Sequence, residues 1–129
     1  MSFLVDTHVL IWLLESPEKL SDSTRLAIAD DDNPVYLSYY SLLEMKLKSL
    51  KDKLRYNEQL MNQINKLNIR IVLPNLSDLV HLEIYNPLNK DPFDNLLISL
   101  AIANSLTLVT DDERILATKV RKLLTLRAN

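Results

Sequence analysis

The feature that most limits what this chain can fold into is the regular exchange of two hydrophobic periodicities. Phe3 to Val5 is a short apolar run of β-forming residues, and Thr7 to Leu14 follows with Val9, Leu10, Leu13 and Leu14 at helical spacing. The exchange repeats: Leu20 to Ala29 reads as a helix and Val35 to Ser38 as a strand. Leu42 to Leu54 and Arg55 to Leu67 read as helices, and Ile69 to Leu73 as a strand. Ser77 to Tyr85 reads as a short helix, Pro92 to Asn104 as a strongly apolar one, Leu106 to Val109 as a strand and Asp112 to Val120 as a helix. Leu123 to Leu126 is expected to be a last edge strand. Strands separated by helices pair in parallel, so a three-layer α/β/α sandwich around a mainly parallel sheet of four to five strands is expected.

The 129 residues fit one domain, spanning 1–129, with no repeat or linker-like stretch to divide them. Glycine is absent. Turns and helix ends must then use Asn, Asp, Ser and Pro, and Asn33-Pro34, Asn68, Asn75, Asn86-Pro87 and Asn104 stand where such punctuation is needed. Apolar residues are 47% and charged residues 25%, an ordinary globular composition that excludes a disordered chain.

With no cysteine, disulfides and thiolate metal sites are excluded, and His8 and His81 are too few for a typical structural zinc site. Any metal must be held mainly by oxygen, which favours Mg²⁺ or Mn²⁺. The longest unbroken apolar run, Val9 to Leu14, is too short to span a membrane, and no basic segment precedes it as in a signal peptide. A cytoplasmic protein with no membrane partner is expected. The net charge of −2 gives no global attraction to nucleic acid, so RNA binding would need a local basic patch.

Candidate chemistry gathers where strands hand over to helices, because ligands of open parallel sheets bind outside the carboxyl ends of the strands. Asp6 follows the first strand, Glu44 follows the second by one turn, Asp94 opens the apolar helix, and Asp112 follows Leu106 to Thr110. Each acid also has an ordinary structural reading. Asp6 can cap the next helix; Ser41-Leu-Leu-Glu44 and Thr110-Asp-Asp-Glu113 have the form of capping boxes. Asp91-Pro92 has the form of an N-cap followed by proline, which puts Asp94 in a first turn that favours negative charge.

Capping does not explain convergence of all four acids on one sheet edge. At an effective dielectric of ~20, two like charges about 6 Å apart repel by roughly 3 kcal/mol. Several such pairs would strain a domain of ~5–15 kcal/mol total stability, and a divalent cation would relieve them.

Four segments resemble PIN domains of the VapC toxin family, in the right order and over almost the whole chain. These are Phe3 to Leu14, Ser41 to Lys48 with Lys53-Leu54, Asp91 to Ala101, and Leu106 to Asp112. The resemblance implies a Mg²⁺- or Mn²⁺-dependent endoribonuclease, the toxin of a toxin–antitoxin pair, with RNA as substrate, a cognate antitoxin as partner and a homodimer as its assembly. Residue by residue, Asp6, Glu44, Asp94 and Asp112 match the family's acidic set as catalytic and metal-ligating groups, with Thr110 beside them. Asp112 is preferred to Asp111 because the family pattern reads Val-Thr-x-Asp; Asp91 and Asp111 are given supporting roles. Close relatives carry His-Arg before Asp-Pro-Phe-Asp and Arg after it, where this chain has Asn89-Lys90 and Asn95. Lys46, Lys48, Lys51, Lys53 and Arg55 could line an RNA path or form only the solvated face of a helix. Two other readings remain: a receiver-like Mg²⁺-binding signalling domain, and a catalytically silent PIN scaffold used for protein contact.

Overall fold

The computed structural model describes residues 1–52, 58–85, 91–120 and 122–129. Five strands, β1 (Phe3–Val5), β2 (Val35–Ser38), β3 (Arg70–Val72), β4 (Thr107–Thr110) and β5 (Leu124–Arg127), form one sheet in the order β3-β2-β1-β4-β5. Every pairing is parallel. The helices are α1 (Thr7–Glu15), α2 (Asp22–Ala29), α3 (Tyr39–Asp52), α4 (Glu58–Lys66), α5 (Leu76–Val80), α6 (Pro92–Ala103) and α7 (Glu113–Leu116), with a 3₁₀ turn at Pro17–Lys19.

Alternation along the central strands divides the core between the two faces. Phe3 and Val5 join Leu37 and Val109 on one face, against Val9 and Leu10 of α1, Leu42 of α3 and Ile64 of α4. Leu4 and Leu108 point the other way, against Leu97, Ile98, Leu100 and Ala101 of α6 and Ile115 of α7. These two apolar layers make the expected α/β/α sandwich. Val5 is in register with Leu37 on one side and Val109 on the other, so β1, β2 and β4 finish at nearly one level. That level edge places the site.

The missing glycine is met as the composition requires. Two non-glycine residues take left-handed backbone, Asn68 (φ 56°) after α4 and Ser105 (φ 54°) after α6. Asparagine tolerates this conformation better than most residues. Serine at 105 was not foreseen; Asn104, which was, instead returns its side-chain amide to the Leu100 carbonyl at 2.9 Å.

Several boundaries differ from the sequence reading. β2 runs straight into α3 at Tyr39, three residues before the expected start, because the buried Ser38 hydroxyl accepts from the Tyr40 N–H at 2.9 Å. Ser41 therefore lies inside the helix and not at its cap. α5 ends at Val80 and not at Tyr85: Leu79, Val80, Leu82 and Ile84 are exposed, so the apolar spacing finds no packing partner to extend the helix. α7 is likewise a single turn, Glu113–Leu116, where a helix to Val120 was expected. Asn86-Pro87, Asn89, Lys90, Lys53-Leu54 and Arg55 lie outside the described residues. No helix among the described residues is long and apolar enough to cross a membrane.

Candidate active site

The carboxyl end of β1 delivers Asp6 directly, and three interactions fix it there. Its backbone N–H donates to the Val109 carbonyl at 3.1 Å. One carboxylate oxygen accepts from the Val9 N–H at 2.8 Å, capping α1. The other accepts a short hydrogen bond from the Thr110 hydroxyl at the end of β4. Asp6 is only 6% exposed, and burial pushes its carboxyl up to about 6 against these hydrogen bonds and the nearby His8. Asp111 adds to the upward push.

Thr110 links two of the predicted acids, since its oxygen also accepts from the Asp112 N–H at 3.1 Å. Asp112 in turn caps α7, with Oδ1 accepting from the Arg114 N–H at 2.8 Å and lying 3.6 Å from the Arg114 guanidinium. The capping box expected from Thr110 to Glu113 therefore does not form; Glu113 instead pairs with Arg127 at the end of β5, at 2.5 and 3.1 Å.

Glu44 corrects the other proposed box. It sits in the second turn of α3, where its Oε1 accepts from the Thr7 hydroxyl at 2.8 Å and its Oε2 lies 3.3 Å from Lys48 Nζ. The Ser41 hydroxyl is buried and has no hydrogen-bond partner among the described residues. Glu44 is thus tied to the start of α1, one residue from Asp6, and has no part in capping α3. Asp91 does cap α6, accepting from the Phe93 N–H at 2.9 Å, and Pro92 follows it in the first turn with Asp94.

One cavity of about 790 Å³ is lined by Asp6, Glu44, Asp94 and Asp112, with Asp91 and Asp111 also on its wall. All four acids singled out in the sequence thus meet one space. Lys48 joins them, whereas Lys46 and Lys51 are exposed outside the cavity lining and Lys53 lies outside the described residues. The expected basic stripe therefore contributes a single described lysine to the cavity. Asn95 is buried beside α5, accepting from the Tyr85 N–H at 3.4 Å, and does not line the cavity.

Thr7, His8, Arg114, Gln59 and Gln63 also line this space and were not anticipated. Thr7 could have been found from its place beside Asp6 at a strand end. Gln59 and Gln63 offer one signal, their spacing of four residues on α4.

The donor chemistry suits a hard divalent cation, because the acids supply oxygen ligands and a buried carboxylate such as Asp6 is costly to ionise alone. Among the described residues, no three or more His, Asp or Glu side chains stand close enough together to hold a metal ion. Glu44 is engaged instead by Thr7 and Lys48, and Asp112 by its own helix and Arg114. Asp6, Glu44, Asp94 and Asp112 are the residues that would hold a cation.

The PIN domain family model matches residues 3–121. No curated protein matches in sequence. Among solved structures, the chain is similar to VapBC2 from Rickettsia felis bound to a DNA fragment from its promoter (TM-score 0.71, 17% identity, 100% of both chains covered). It is similar also to VapBC-1 from nontypeable Haemophilus influenzae (TM-score 0.68, 16% identity, 98% of this chain and 97% of that one). A third is VapBC-5 of Mycobacterium tuberculosis, a member of the VapBC family of toxin-antitoxin systems (TM-score 0.61, 16% identity, 98% of each chain).

Proposed function

The chain belongs to the PIN domain family, and from that premise we propose that it is a divalent-metal-dependent endoribonuclease, the toxin of a toxin–antitoxin pair. The observation that carries this is the cavity at the carboxyl edge of the sheet, where four separate chain segments each contribute a carboxylate. Bound Mg²⁺ or Mn²⁺ would supply a water of lowered pKa and offset charge on the phosphodiester oxygens.

The protein's own groups do the positioning. Thr110 orients Asp6 from β4 and receives the Asp112 N–H, so a shift of β4 would disturb two acids together. Thr7 fixes Glu44 across the gap between α1 and α3. Among the described residues, Lys48 and Arg114 are the lysine and arginine on the cavity wall and suit a phosphate backbone. Asp91 sets the start of α6 and thereby the position of Asp94.

A cognate antitoxin as partner is supported by the similarity to three VapBC structures, and a homodimer follows from the same family reading. A cytoplasmic location agrees with this function. The receiver-like alternative loses its ground to the PIN model that spans 3–121. A silent scaffold has no need of the acids on the cavity, and all four are retained.

A fluorogenic single-stranded RNA incubated with Mn²⁺, Mg²⁺ or EDTA tests the proposal. Cleavage with either metal and its loss in EDTA are expected. Metal-independent cleavage, or none with either ion, would overturn it.

A further inference from the structure

Residues four apart on a helix share a face, and His8 and Trp12 are such a pair on α1. Their rings stack with centroids 5.6 Å apart and planes 20° from parallel. Lys19, from the 3₁₀ turn, holds its ammonium 5.9 Å from the Trp12 ring centre. At its edge, His8 Nδ1 lies 3.5 Å from Asp111 Oδ1. Despite these contacts, 66% of the His8 side chain remains exposed, and the residue lines the acid cavity.

The aromatic stack restricts the ring on one side and Asp111 restricts it at the edge. What remains open is an oriented π-surface beside the carboxylates. We infer that His8, laid on Trp12, is a stacking platform for an unpaired base of the RNA strand that enters the cavity. This rests on the nuclease reading and adds to it one contact with the substrate: a base of the strand stacked on His8.

Electrostatics favours such a device. Nucleic-acid binding usually draws most of its strength from phosphate neutralisation. This chain carries a net charge of −2, its cavity is walled by carboxylates, and Lys48 already faces Glu44. A ring face gains contact with a base without needing a favourable field, and it accepts any base because each has a π-face.

Trp12 is the sole tryptophan, so its fluorescence reports on the stack directly. The test measures binding in EDTA, where no metal-dependent turnover interferes. The probes are a labelled single-stranded decamer of adenylate, a decamer of the same ribose-phosphate backbone without bases, and an RNA duplex of the same length. The adenylate decamer is expected to change Trp12 emission on binding, with His8→Ala weakening its affinity about 5- to 100-fold. His8→Phe keeps a ring and should bind within about twofold of the parent, while His8→Gln keeps polarity without the ring and should behave as His8→Ala. The backbone decamer should bind equally to parent and His8→Ala, and the duplex more weakly than the adenylate decamer.

The inference is overturned if His8→Ala loses as much affinity for the backbone decamer as for the adenylate decamer. It is equally overturned if His8→Gln binds like the parent, or if the parent shows no binding of the adenylate decamer. Should His8→Ala fail to fold, the comparison of His8→Phe with His8→Gln decides alone. Metal-dependent cleavage with binding indifferent to His8 would defeat this inference and leave the nuclease reading standing. Ring-dependent binding without metal-dependent cleavage would do the reverse.

Discussion

Replacing Asp6 by asparagine should make the metal-free protein more stable while removing its ability to respond to a cation. Burial raises the Asp6 carboxyl from 3.8 to about 6. At about 1.4 kcal/mol per pH unit, holding that group ionised in the folded state near neutral pH costs roughly 3 kcal/mol. Because the folded state keeps the proton longer than the unfolded chain, the penalty is absent below about pH 4. It grows as pH rises, and is complete above about pH 6. Asparagine has no charge to bury and caps a helix about as well as aspartate, so the bond from the Val9 N–H survives. The Thr110 hydroxyl must turn to accept from the new amide while it also accepts from the Asp112 N–H, which gives back about 1 kcal/mol. A net gain of about 1–3 kcal/mol is expected near pH 7.5 in EDTA, shrinking toward zero or slightly below it near pH 4. Urea unfolding of parent and variant at the two pH values measures it. A variant less stable than the parent near pH 7.5, or a difference that ignores pH, would refute the reasoning.

The remaining expectations concern the helix starts and the left-handed positions. Asp94→Asn should abolish RNA cleavage with little change in unfolding free energy, whereas Asp91→Ala should lose about 1 kcal/mol of stability as a missing cap; the opposite pattern would show the two roles exchanged. Glu44→Gln should reduce cleavage at least tenfold, about 1.4 kcal/mol of barrier, in a folded protein. Ser41→Ala should be nearly neutral for both stability and cleavage, because its hydroxyl has no partner to lose. Ser105→Gly should raise the melting midpoint modestly, since relief of the left-handed backbone, ~1–2 kcal/mol, exceeds the entropy that glycine adds to the unfolded chain, ~0.5–1 kcal/mol.

Much of this molecule was legible in its sequence because parallel sheets declare themselves through periodicity. The alternation of Phe3 and Val5 against Leu4, and the helical spacing after it, predicts both the layers and the edge where acids collect. Length was harder to read. Leu82 and Ile84 continue the apolar residues beyond α5, yet a helix is held by what its face packs against, and these side chains are exposed. The capping box at Ser41 failed for a related reason: Ser-x-x-Glu was present, but β2 passes into α3 without a loop and Ser38 supplies the cap first. Glu44 lines the cavity, but its hydrogen-bond partner there, Thr7, was missed. The bond between Thr7 and Glu44 spans 37 positions, and no local pattern announces it. His8 was weighed only as a zinc ligand, although its spacing from Trp12 already put two rings on one helical face.

The most direct test of the central claim is the thermal shift of a verified metal-free sample on adding Mn²⁺. If the acid cavity holds the cation in the folded state alone, stabilisation follows RT ln(1 + [L]/Kd), about 2.7 kcal/mol at a hundredfold excess over Kd. For a domain of this size, that corresponds to a rise on the order of 10 °C. The parent should show this rise, and a protein carrying both Asp94→Asn and Glu44→Gln should show little of it. A parent whose melting temperature ignores Mn²⁺, or a doubly substituted protein that rises as far as the parent, would contradict the assignment of Asp6, Glu44, Asp94 and Asp112 as the metal-holding set.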